Sequence, residues 1–116
     1  MFNEGKKLTI LAIGAHGDDI ELACGGTLAK AIKNGHEVTM VLVSGHGSND
    51  HNNMKIRAQG AAQQEAKAAA KILGVSKLHI LGYQDTCVPY SAELISKLDD
   101  IITDCKPDII FTHFVF

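Results

Sequence analysis

The sequence lacks any long uninterrupted hydrophobic run. Although 46% of its 116 residues are hydrophobic, no run approaches the roughly 18 to 20 apolar residues that a membrane helix needs. The first seven residues, MFNEGKK, lead into a short strand-like segment with no small-residue cleavage site, so no signal peptide is predicted. We therefore expect a soluble protein with no membrane span, located in the cytoplasm.

Paired cysteines and basic clusters are absent as well. Cys24, Cys87 and Cys105 lie far apart and form no Cys-x-x-Cys pair, which argues against a disulfide framework and against a thiolate zinc site. The formal net charge is -2 and no Lys/Arg cluster is present, so the chain has no electrostatic footprint of a nucleic-acid binder. A small molecule is the expected ligand.

Strand-like and helix-like segments alternate along the chain. The predicted strands are residues 7–14, 37–44, 77–81 and 108–112. The first predicted helix follows Asp19 and runs from Ile20 up to the Asn34-Gly35 pair, and the other two cover 54–73 and 91–105. This βαβαβαβ order predicts a Rossmann-like, three-layer α/β/α fold with a mostly parallel sheet. Such sheets bind ligands beyond the carboxyl ends of their strands. Four segments meet that condition: residues 16–19, 45–53 and 82–89, and His113.

The segment His16-Gly17-Asp18-Asp19 places an imidazole and two carboxylates at a strand-to-helix turn. A catalytic zinc takes three nitrogen or oxygen ligands and keeps one position for water, whose proton a nearby carboxylate can accept. His16 and Asp19 could turn toward one ion while Asp18 stays beside the water. An alternative remains open from spacing alone: the two aspartates could merely cap the helix, with His16 a polar loop residue.

A longer stretch around this cluster, AHGDDIELACGGTL (residues 15–28), resembles the opening signature of the LmbE-like (PIG-L) N-deacetylases. The similarity continues through Arg57, QEAKAAAKILGV (64–75), LGYQD (81–85) and KPDIIFTH (106–113). The resemblance implies a zinc-dependent enzyme that removes an N-acetyl group from a small N-acetylglucosamine-like substrate. It also implies that residues 1–116 are the N-terminal portion of a single deacetylase domain, with the C-terminal part of the fold missing.

The resemblance assigns roles to individual residues. His16 and Asp19 correspond to the family's zinc ligands, Asp18 to its general base, and Arg57 and Asp85 to residues that hold the sugar. The family's third zinc ligand lies in a later segment, so it is expected beyond Phe116. Gly17 replaces the family's usual proline, which affects the rigidity of the turn more than its chemistry.

The remaining histidines receive other interpretations. His113 follows the last strand and could line the site, but no Asp-His pair follows it, so we do not predict it to be the third ligand. His46 and His51 lie in a Gly/Asn-rich loop that could reach the site or bind adventitious metal, although loop histidines are more often simply solvated. His36 and His79 are expected to be structural, and Cys24 to be a packing residue.

Two other functions compete with deacetylation. A chain without the third ligand could be a truncated, catalytically incompetent fragment or paralogue that binds metal or sugar without turnover. The oligomeric state is a separate open question, although exposed sheet edges would favour self-association into a homo-oligomer. A nucleotide-binding module is less favoured, since no Gly-x-Gly-x-x-Gly follows the first strand and two carboxylates would face a phosphate.

Overall fold

The structure, a computed structural model, describes residues 5–45 and 59–114. Within these ranges strands and helices alternate in the order β1 (Thr9–Gly14), α1 (Asp19–Lys33), β2 (Glu37–Ser44), α2 (Gln59–Leu73), β3 (Lys77–Tyr83), α3 (Ala92–Cys105) and β4 (Ile109–Phe111). The predicted order of elements is confirmed. Strand β3 extends two residues further than predicted, and the predicted start of the second helix at Met54 lies outside the described residues.

The four strands form one parallel sheet in the order β3-β2-β1-β4. The chain steps from β1 to β2 to β3 in one direction and then returns to the opposite side of β1 to form β4. Because crossovers between parallel strands are right-handed, this reversal places α1 and α2 on one face of the sheet and α3 on the other. The predicted parallel sheet with helices on both faces is confirmed.

The hydrophobic core lies between the sheet and the pair α1 and α2. Strands β1 and β2 occupy the centre of the sheet, so their side chains are buried on both faces, and this explains why each reads as a nearly continuous apolar run. The core combines strand residues with one apolar side of each helix: Ile10, Ala12, Val38, Met40, Leu42, Ile20, Leu28, Ala31, Ala66 and Ala70.

The ends of the helices follow the signals in the sequence. The Ser91 hydroxyl accepts a hydrogen bond from the Leu94 N–H and caps α3. Gly35 and Gly74 follow α1 and α2 with φ of 90° and 86°, a left-handed conformation that glycine adopts without a steric penalty. Among the described residues, no helix is long and apolar enough to cross a membrane.

Candidate metal and catalytic site

The candidate site lies where the strand order reverses. Strand β1 pairs with β2 on one side and with β4 on the other, and the sheet order β3-β2-β1-β4 places β2 and β3 on one side of β1 and the later strand β4 on the opposite side. A crevice therefore opens beyond the carboxyl end of β1, the position at which open α/β sheets bind their ligands. His16 lies two residues after the end of β1 at this crevice, and His113 lies two residues after the end of β4.

A tight turn joins β1 to α1. A Cβ atom added at Gly14 would lie 3.0 Å from Ile20 Cγ1, so the absence of a side chain lets the first turn of α1 pack close to the end of β1. The His16 N–H then donates a hydrogen bond of 2.9 Å to Asp19 Oδ2. The turn thus fixes the backbone of one predicted ligand against the carboxylate of the other.

The His16 ring lies between two carboxylates. Its Nε2 is 2.5 Å from Asp85 Oδ1, and its Nδ1 is 3.5 Å from Asp19 Oδ2. With Nε2–H donated to Asp85, the Nδ1 lone pair faces Asp19. Asp85 Oδ1 also accepts the Thr86 N–H at 2.9 Å, so the loop after β3 holds this carboxylate toward His16.

Charge around the ring follows from these contacts. The hydrogen bond to Asp85 raises the pKa of His16 above its ordinary value; the negative charges of Asp85, Asp19 and Asp18 act in the same direction, while burial opposes them. The same hydrogen bond from His16 lowers the pKa of Asp85. Three carboxylates around one imidazole make the end of β1 electronegative, which favours a bound cation.

Asp18 has a different environment from Asp19. It occupies the N-cap position of α1, but its side chain makes no capping hydrogen bond, and it is exposed in the cleft beside His16. The alternative in which Asp18 serves as a side-chain cap therefore does not describe this turn. Its carboxylate is available for chemistry at the mouth of the cleft.

The cleft itself has a volume of about 680 Å³. Its walls come from the β1–α1 turn, the ends of β2 and β3, and α2, and its lining includes His16, Asp18, Asp19, Ser44 and Asp85. Pockets that hold small molecules are usually about 300 to 1,000 Å³. The cleft is large enough for a sugar-sized ligand that reaches all three aspartates.

Glu21 is an acidic residue of this cleft that was not among the predicted site residues. Among the described residues its Oε1 atom is buried without a hydrogen-bond partner, and burial is the main cause that raises its pKa above the ordinary value. Glu21 lies within the Asp-Ile-Glu part of the signature, and this position is the sequence feature that could have identified it as a residue of the site.

Two donor atoms of the site match the ligand spacing that zinc requires. Zinc–ligand bonds of about 2.0 to 2.1 Å in a tetrahedron separate neighbouring ligand atoms by about 3.4 Å. His16 Nδ1 and Asp19 Oδ2, 3.5 Å apart, fit this spacing and are nitrogen and oxygen donors of the right kind. Across residues 5–45 and 59–114, however, no group of three or more His, Cys, Asp or Glu side chains is arranged to hold a metal ion.

The other predicted residues divide into three groups. Arg57, His46 and His51 lie outside the described residues.

His36 is buried and its Nδ1 accepts the Leu8 N–H at 3.0 Å, in agreement with a structural role, and His79 lies within β3. Cys24 packs half-buried against the core, and burial raises the pKa of its thiol, as expected for a packing residue.

Two further residues contact the turn before His16. Ser44, the last residue of β2, donates its hydroxyl hydrogen to the Ala15 carbonyl, and His113 Nε2 accepts the Ala15 N–H. Ser44 was not among the residues predicted from the sequence to belong to the site. The available signal was a polar residue at the carboxyl end of an otherwise apolar strand, EVTMVLVS.

The fold and this cluster together define an α/β protein whose ligand cleft opens at the strand ends onto a His/Asp pair. Within that class, the chain belongs to the PIG-L family, described as GlcNAc-PI de-N-acetylase, which matches residues 11–115. The family resemblance of the sequence is thereby confirmed.

Individual relatives agree with this membership. The chain is 33% identical over 112 residues to diacetylchitobiose deacetylase of Thermococcus kodakarensis, and 36% identical over 104 residues to an uncharacterised deacetylase, YaiS, of Escherichia coli K12. The structure of the N,N'-diacetylchitobiose deacetylase of Pyrococcus horikoshii superposes with a TM-score of 0.76 at 32% identity.

These matches cover most of this chain but only part of each relative. They span 94%, 88% and 87% of the chain, against 41%, 52% and 39% of the respective relatives. The chain therefore spans about two-fifths to one-half of the length of the proteins that it matches.

Proposed function

We propose that this chain carries the metal-binding and proton-transferring part of an N-deacetylase that acts on N-acetylated amino sugars. The observation that carries the proposal is the placement of His16, Asp18 and Asp19 together at the switch point of a PIG-L-type sheet, beside a sugar-sized cleft. The relatives' activity on diacetylchitobiose supports the substrate class. We also propose that residues 1–116 are the N-terminal portion of a single deacetylase domain.

His16 Nδ1 and Asp19 Oδ2 would hold a zinc ion, with a third protein ligand outside the described residues. Bound zinc would polarise the acetyl carbonyl and lower the pKa of water toward about 7. Asp85 would fix the His16 ring by accepting its Nε2–H, as carboxylates commonly do for metal-binding histidines. In the role that the resemblance implies, Arg57 and the remaining oxygen of Asp85 would contact sugar hydroxyls.

Asp18 would move the protons of the reaction. Its exposed carboxylate takes a proton from the attacking water and then gives it to the departing nitrogen, so that acetate and a free amine leave. The uncapped side chain of Asp18 supports this role, since it is not committed to the helix end.

A second candidate function has its own supporting observation. Because the described residues contain no complete three-residue metal group, the chain by itself could bind a metal ion or a sugar without turnover. The two candidates differ in whether acetate is released.

An acetate-release assay on N,N'-diacetylchitobiose would test the proposal. It should compare the 116-residue chain with a chimera in which the remaining part of the T. kodakarensis relative continues after Phe114. We expect the chimera to release acetate in a chelator-sensitive, zinc-restored manner. Zinc binding by the chimera without acetate release would favour the second candidate, and binding of neither zinc nor sugar would contradict both.

A further inference from the structure

The peptide unit immediately before His16 is held from both sides. The Ala15 carbonyl accepts two hydrogen bonds from Ser44, one from its N–H at 3.0 Å and one from its hydroxyl at 2.7 Å. The Ala15 N–H donates to His113 Nε2 at 3.0 Å. Ser44 ends β2 and His113 follows β4, so both neighbours of β1 contact the same residue.

These contacts lie beyond the regular sheet. The pairing of β1 with β2 ends at Gly14 and Leu42, and the pairing of β1 with β4 ends at Ala12 and Phe111. After Ala12, the described residues of β4 form no further sheet pairing with β1. The His113 imidazole supplies the missing acceptor there, and the Ser44 hydroxyl adds a bond on the β2 side.

The two side chains differ in how they are held. Ser44 is only 7% exposed, and a hydrogen bond in such a dry setting is stronger than one in water. The His113 side chain is about half exposed, and its Nε2 is also 3.2 Å from Asp19 Oδ2. Nε2 offers a single in-plane site, and the direction of the Ala15 N–H is fixed by the backbone. Nε2 therefore accepts from Ala15, its ring proton is on Nδ1, and the approach to Asp19 is not a hydrogen bond.

We propose that Ser44 and His113 are positioning residues that clamp the Ala15 peptide and thereby aim His16 and Asp19 at a common point. The link between the clamp and the site is direct, because the next N–H along the chain, that of His16, binds Asp19 Oδ2. Metal and catalytic constellations need their atoms held within about 0.5 Å. Loss of the hydrogen bonds to Ala15 would therefore displace both proposed metal ligands, His16 and Asp19, together. The effect of the clamp on metal binding rests on the proposed function, whereas the hydrogen bonds of the clamp do not depend on it.

The clamp can be observed in the 116-residue chain without turnover. We expect two-bond ¹H–¹⁵N spectra to show the His113 ring with its proton on Nδ1, and the Ala15 amide to exchange slowly with solvent. His113→Phe should abolish this protection and Ser44→Ala should reduce it. His113→Gln, whose side-chain oxygen can accept the same N–H, and Ser44→Thr, which keeps the hydroxyl, should restore much of it.

The effect of the clamp on metal binding is measured by calorimetric titration with zinc alone. Zinc affinity should fall about fivefold to tenfold in His113→Phe and Ser44→Ala and recover in the conservative variants. The matched control is His79→Asn, a histidine of β3 that is not among the residues lining the cleft, which should leave Ala15 exchange and zinc affinity unchanged. Thermal melting of each variant separates loss of the clamp from loss of the fold.

A fast-exchanging Ala15 amide in the unchanged protein, or His113→Phe with unaltered Ala15 exchange, would overturn the clamp. Loss of Ala15 protection with unchanged zinc affinity would overturn its positioning role. Absence of acetate release, with the exchange and zinc results as expected, would instead count against the proposed enzyme and leave the clamp in place.

Discussion

Asp85 provides the sharpest test of the site geometry, through the substitution Asp85→Asn. The carboxylate accepts His16 Nε2–H at 2.5 Å and so keeps the Nδ1 lone pair directed at Asp19. The amide is nearly isosteric but neutral, and hydrogen bonds to charged acceptors are about twice as strong as neutral ones. Removing such partners of metal-binding histidines usually costs about 10-fold to 100-fold in metal affinity.

The solvent exposure of His16 and Asp85 determines how large the loss of zinc affinity should be within this range of about 10-fold to 100-fold. The His16 and Asp85 side chains are 48% and 29% exposed, so solvent screens part of their interaction. We therefore expect the lower end, about a tenfold loss of zinc affinity, which corresponds to about 1.4 kcal/mol.

Zinc titration of the 116-residue chain, followed by the NMR signals of the His16 ring, would measure this loss. Asp100→Asn on α3 is a matched control with the same change of charge and should bind zinc as the unchanged chain does. The His16 tautomer should also become mixed in Asp85→Asn. Equal zinc affinity in Asp85→Asn and in the unchanged chain would refute the role assigned to Asp85.

Other predictions concern stability and can be checked by urea unfolding. Gly45→Ala should destabilise the chain by about 1 to 3 kcal/mol, because the new Cβ would lie only 2.4 Å from Ile80 Cγ2. Gly17→Ala is its counterpart: a Cβ there meets only Ala66 Cβ at 3.9 Å, so we expect unchanged or slightly higher stability, by up to about 1 kcal/mol. Ser91→Ala should cost about 1 kcal/mol by removing the cap of α3, and an equal midpoint would contradict that cap.

The sheet could be predicted from the sequence because its central strands have an unusually clear apolar pattern. The runs TILAIG and EVTMVLVS are apolar on both faces, as only the middle of a parallel sheet requires, and the Gly35 and Gly74 signals end the helices where predicted. The strand order could not be obtained in this way. The return of the chain to the far side of β1 depends on tertiary packing, which local patterns do not encode.

The site was predictable in part for a related reason. His16, Asp18 and Asp19 are neighbours in sequence, so one short signature contains them. The contacts of His16 with Asp85 and of Ala15 with His113 join residues 69 and 98 positions apart. Only the convergence of strand ends brings such residues together, so the His16–Asp85 and Ala15–His113 contacts became visible only in the structure.

In the proposed mechanism, Asp18 transfers protons beside a metal ion held by His16 and Asp19. Asp18→Asn in the chimera described above, assayed for acetate release with zinc content measured on the same sample, tests it most directly. We predict that zinc remains bound while acetate release falls at least a hundredfold, because general acid–base catalysis contributes about 10² to 10⁴ in rate. Acetate release at the rate of the unchanged chimera would contradict the account.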